Sequence, residues 1–215
     1  MTRNAKALGL TIIAALALGA MVAPAAQAAK YTAAQYPASL TGKQSSGLVL
    51  TLNGGRKYQC SGVTSSGTLK EASEGFATTS EQTGCTTEIA GTKFPSETST
   101  TCGVFYEHFT TLLVTKTVCV GSYTHHLAVY KDAAKTELLC LYNLEDLGEY
   151  KGVSTENLGG TSGVKVSFNL SGVPYKLLSG TALLCGAESS TATYTGALTY
   201  TAKNEKGEAI SFDVG

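Results

Sequence analysis

The sequence predicts an all-β protein: an antiparallel, β-sandwich-like domain held by disulfides and preceded by a helical signal peptide. Three observations carry that reading. Apolar and polar residues alternate over short runs, six cysteines are spread widely through the chain, and the first 28 residues have the layout of an export leader. Thirty threonines, eleven tyrosines and twenty-four glycines agree with it, because such residues favour strands and tight turns.

Taken in order, Arg3 and Lys6 precede an apolar run over 7–23, and Ala26-Gln27-Ala28 supplies small residues for cleavage. The run falls short of the ~20 apolar residues of a membrane span. Cleavage after Ala28 leaves 29–215 as a secreted β-domain with the length for two β subdomains. Leu48, Leu50 and Leu52 then alternate with Val49 and Thr51, and Asn53-Gly54-Gly55 signals a hairpin whose return strand is Lys57 to Cys60. Cys102, Val104, Tyr106 and His108 share one phase of a strand, and Phe105, Glu107 and Phe109 the other. Leu112 to Val120 reads as a strand buried on both faces. Tyr123 to Tyr130 and Leu138 to Tyr142 flank a turn at Lys131 to Lys135, and Asn143 to Gly163 reads as a polar loop. Val164, Val166, Phe168 and Leu170 have one dry face; Ser171-Gly172-Val173-Pro174 is expected to turn the chain. A hairpin loop at Asn204 to Gly207 leads to a last strand with Ile210, Phe212 and Val214.

Export places Cys60, Cys85, Cys102, Cys119, Cys140 and Cys185 where disulfides persist. Fifteen full pairings are possible. The preferred set is Cys60–Cys85, Cys119–Cys140 and Cys102–Cys185. Zinc sites need cysteines two to four residues apart, and the nearest pair here is 17 apart, so disulfides are favoured over a metal centre.

No coherent catalytic set emerges. His125-His126 with His108 and Glu107 is the one cluster that suggests a hydrolase, but adjacent strand residues point to opposite faces. Glu145-Asp146 reads as a solvated loop pair, and neither G-x-S-x-G nor H-E-x-x-H is present. Tyrosines 106, 123, 130, 142, 150, 175, 194 and 200 could form a sugar-stacking platform, or simply half-buried sheet. Asn169-Leu170-Ser171 matches the short N-glycosylation pattern. Without the leader, 14 basic residues face 16 acidic ones, which disfavours a nucleic-acid partner, and Arg56-Lys57 is too small a basic patch to change that.

Short motifs along the chain resemble a group of uncharacterised exported six-cysteine β-domain proteins of soil actinobacteria. They are Tyr36-Pro37-Ala38-Ser39-Leu40-Thr41-Gly42, Lys57-Tyr58-Gln59-Cys60, Thr83-Gly84-Cys85, Cys102 before an aromatic strand, and Val118-Cys119. Cys140, Ser171-Gly172-Val173-Pro174-Tyr175 and Tyr194-Thr195-Gly196-Ala197-Leu198 complete the set; Val120 and Gly186 stand where that group often carries proline. The resemblance implies export and β-architecture and assigns no activity. The expectation is therefore a non-catalytic extracellular or cell-surface domain, structural or binding, with no cofactor and with a cell-wall or extracellular partner. A secreted hydrolase and a glycan-binding module are the alternatives.

Overall fold

The computed structural model describes residues 29–98, 102–109, 112–119, 125–144 and 150–215, with side chains except those of 102–105, 107–109, 112–119 and 150–151. The expected leader lies outside the described residues, as do Val120, Tyr123, Glu145 and Asp146. The strands are β1 (Tyr31–Ala33), β2 (Ala38–Leu52), β3 (Arg56–Gln59), β4 (Gly62–Leu69), β5 (Gly75–Thr83), β6 (Thr86–Ile89), β7 (Thr92–Thr98) and β8 (Cys102–Phe109). They continue as β9 (Leu112–Cys119), β10 (His125–Tyr130), β11 (Leu138–Leu144), β12 (Tyr150–Asn157), β13 (Val164–Ser179), β14 (Ser189–Lys203), β15 (Ala209–Ile210) and β16 (Phe212–Val214). One short helix, α1 (Ala182–Cys185), interrupts them.

Every pairing is antiparallel, and the order of pairings closes a ring. Three long strands, β2, β13 and β14, run side by side through the whole molecule. Around them, β3 with β4, β5 with β6, β7 with β8, β9 with β10 and β11 with β12 each form one broken stave. One half of the ring runs β2-β4-β5-β8-β9-β12-β13-β14, the other β2-β3-β6-β7-β10-β11-β13-β14, and each closes through β14 on β2. The result is an up-and-down barrel of eight staves, its waist being the level at which the described breaks Cys60–Ser61 and Gly84–Cys85 fall. Closure removes the exposed edges that an open sheet of this size would present. The antiparallel all-β expectation holds; its sandwich-like form is resolved as a sheet closed on itself.

The waist is made by irregular pairing. Between Thr195 and Ala197 the register of β14 on β2 slips, beside Gly196 and Gly47. Gly196 has φ 137°, and a Cβ there would stand 2.5 Å from the Gly47 carbonyl oxygen. Only glycine lets the two backbones approach so closely in that conformation. Ser171 to Pro174, expected to turn the chain, instead lies within β13, where the register slips on either side of Val173. A bulge tolerates proline because no ladder hydrogen bond is required of its nitrogen. The polar loop expected over Asn143 to Gly163 likewise contains the end of β11 and all of β12. A half-solvated strand with few apolar residues gives a weak alternation signal.

Strand alternation sorts the side chains. On β13, Val164, Val166, Phe168 and Leu170 are buried while Lys165, Ser167 and Asn169 face outward. The half bearing β4, β5, β8, β9 and β12 is filled by rings. Tyr31 meets Phe76 edge-on at 4.7 Å and stacks on Phe212 at 5.9 Å, and Phe76 packs on Tyr106 and Tyr200 at 5.0 and 5.2 Å. Tyr31 and Phe212 come from the β1–β16 pair, which plugs this base of the barrel. The other half is filled by Leu50, Leu52, Ile89, Leu127, Val129, Tyr142 and Tyr175. Outside, hydroxyls form cross-strand rows such as Thr201, Thr41, Ser66 and Thr79. Lipid-spanning barrels have the reverse arrangement, an apolar outer band around a polar lumen. No helix among the described residues is long and apolar enough to cross a membrane.

Candidate functional site

Two disulfides are placed at different levels of the barrel. Cys60–Cys85 joins two crossings of the waist, as the sequence suggested. Cys140–Cys185 replaces the expected Cys119–Cys140 and Cys102–Cys185. The cause lies in β13: its end pairs with β11, Leu141 opposite Ser179, so the chain leaving β13 turns back beside Cys140. Gly180 sits in that turn at φ 109°, where a Cβ would lie 2.5 Å from Cys185 Sγ and 2.7 Å from the Leu139 carbonyl oxygen. Cys102 and Cys119 are register partners on β8 and β9.

The waist interior carries polar groups between the two apolar halves. Tyr58 Oη donates to Gln82 Oε1. The Sγ of Cys60 is 3.2 Å from both oxygens. Burial, with the charge of Glu97 behind it, pushes the Tyr58 phenol up to about 12. Gln44 Oε1 and His125 Nδ1 are buried without a hydrogen-bond partner. His125 shares the inward phase of Leu127 and Val129, and burial, then the neighbouring His126, holds its imidazole below the usual range.

The residues of the suspected hydrolase cluster fall on two strands, β8 and β10. His125 begins β10 at the waist, whereas Glu107 and His108 lie near the base end of β8, and these two strands do not pair. His108 is six residues along β8 from Cys102, about 20 Å at the strand rise. Among the described residues no group of three or more His, Cys, Asp or Glu side chains could hold a metal ion. Of the tyrosines considered for sugar stacking, Tyr106, Tyr142, Tyr175 and Tyr200 are buried in the barrel, while Tyr130 and Tyr194 are half-buried.

The barrel end opposite the base is different in kind. Here α1 and its flanks fold across the mouth, and side chains from three staves grip their backbone. Arg56 Nε donates to the Leu184 carbonyl at 2.7 Å, Nη2 to that of Leu183 at 3.2 Å and Nη1 to that of Asn53 at 2.8 Å. Tyr142 donates to the Cys185 carbonyl at 2.6 Å, and Tyr175 to that of Ala187 at 3.0 Å. These bonds satisfy carbonyls that a one-turn helix leaves open at its end. Sequence reading missed this cap. Its only advance signal was Arg56, a lone arginine at a hairpin tip, which read as a weak basic patch.

The cap exposes apolar side chains. Leu183 is 94% exposed, Leu178 51%, Leu138 42% and Leu184 38%. Leu178 is the unpaired residue at the bulge of the β13–β11 pairing, Leu138 begins β11 just beyond that pairing, and the Cys140–Cys185 bridge binds it to α1. In the neighbouring β10–β11 turn, Lys131 pairs with Glu137 at 3.2 Å and Lys135 with Glu97 at 2.5 Å. Asp132 accepts from the Thr136 and Glu137 amides at 3.0 and 2.9 Å, which with the Thr136 hydroxyl holds its carboxyl below the ordinary range. Comparison with protein-family models, with curated proteins and with solved structures gives no match.

Proposed function

We propose that the chain is an exported, non-enzymatic barrel that acts through its outer surface as a structural or binding module at or outside the cell. The observation that carries this reading is the filled interior. Eight-stranded barrels with a free lumen hold ligands inside; here Phe76, Tyr106, Phe168 and Tyr200 occupy the middle of the base half in mutual contact. The disulfides support an oxidising compartment. Chemistry in the lumen would have to displace a packed aromatic core, whereas binding at the wall or the cap requires no rearrangement.

Fractionation of the producing cell tests the reading. The expected product lies outside the cytoplasm, begins at Ala29 and has oxidised cysteines. A chain that keeps Met1 and reduced thiols inside the cell would overturn it.

A further inference from the structure

We propose that the capped end of the barrel is a lipid-docking tip, with Leu183 as its leading side chain and Leu138, Leu178 and Leu184 around it. The proposal rests on the surface-module reading and names the partner.

An apolar side chain on a loose loop can fold back onto the protein. Leu183 and Leu184 cannot, because their own carbonyls are held by Arg56 and the next residue, Cys185, is bridged to β11. Cys185 itself is fully buried while Leu183, two positions before it, is 94% exposed. The same turn of chain is thus fixed inward on one side and projects leucine on the other.

The four exposures add to little more than two free leucine side chains, on the order of 200–300 Å² of apolar surface. A specific protein interface needs about 800 Å² from each partner. A second copy of the chain meeting tip to tip would fall well short. A bilayer requires no matching surface, so a few leucines gain the full transfer term on entering it.

Protein hot spots are rich in Trp, Tyr and Arg and poor in Leu. The arginine of this end is committed inward to three carbonyls, and Tyr142 and Tyr175 point at the cap backbone. The lysines of the adjacent Lys131–Glu137 turn are ion-paired, which favours a neutral lipid surface over an anionic one.

The test is co-sedimentation of the purified mature protein with phosphatidylcholine vesicles, repeated with phosphatidylglycerol added and at high salt. Binding is expected in all three conditions, with Leu183→Asp and, separately, Leu178→Asp weakening it about tenfold or more. Both positions are solvent-exposed, and an intact Cys140–Cys185 bridge by peptide mapping verifies that the cap is in place. No binding, equal binding by both variants, or binding that needs phosphatidylglycerol and vanishes in salt would overturn the proposal. So would a leucine-dependent dimer in sedimentation without vesicles. Export is read separately from the N-terminus, so an exported chain that ignores vesicles refutes the docking and leaves the surface-module reading standing.

Discussion

The hydroxyls of Tyr106 and Tyr200, 94 positions apart in sequence, lie 2.9 Å from each other in the core of the barrel. Tyr106 comes from β8 and Tyr200 from β14, so this bond spans the lumen between staves that do not pair. Burial first, and then each other's proximity, raises the Tyr106 phenol far above its ordinary value, so the pair stays neutral. The close fit continues at Gly42, where a Cβ would stand 2.5 Å from Tyr200 Cε1. We expect Tyr106→Ala to cost ~3–5 kcal/mol and Tyr106→Phe about 1 kcal/mol, read from urea midpoints. An unchanged midpoint for the alanine variant would contradict a filled lumen.

Arg56 makes a second prediction. Arg56→Ala removes all three hydrogen bonds to the cap and hairpin carbonyls. Limited proteolysis between Gly180 and Glu188 should speed up markedly, with global stability falling by only about 1–2 kcal/mol. Arg56→Lys should not restore protection, because one ammonium cannot serve three carbonyls along a planar fork. Equal nicking rates in wild type and variant would refute the anchoring role.

The cysteines make a third. Paired removal of Cys140 and Cys185, which close 45 residues, should cost ~2–4 kcal/mol and loosen the cap. The remaining cysteines, Cys102 and Cys119, occupy opposite register positions, a spacing at which a disulfide is sterically feasible. Intact mass before and after reduction should therefore count three bridges, and peptide mapping should join Cys102 to Cys119. Two free thiols under oxidising conditions would refute that pairing.

His125 makes the fourth, in pH. Its folded pKa lies below the ordinary histidine value of 6.5, chiefly through burial. The unfolded chain therefore takes up the proton more readily, and stability rises with pH across the interval between the folded value and 6.5. The destabilisation is complete once pH is below both values and absent above them. His125→Gln should flatten this part of the stability–pH curve. An unaltered slope would place the acid sensitivity elsewhere.

The alternation of Val164 to Leu170, the Asn53-Gly54-Gly55 hairpin and the Asn204 turn were legible because each is a local pattern with a local cause. Ser171 to Pro174 was misread for the same reason. Those residues favour turns in isolation, and only the partners on β14 and β11 make them a bulge within a sixteen-residue strand. The cap was invisible because α1 is four residues long, too short to leave a helical period.

Composition and strand period determined by themselves that this chain forms antiparallel sheet with one dry and one wet face, since a two-residue repeat needs no distant partner to be expressed. Ring closure, the Cys140–Cys185 bridge and the projection of Leu183 were decided by the tertiary structure. Each depends on which strands, far apart in sequence, come to lie side by side, and that choice is made by packing a common core.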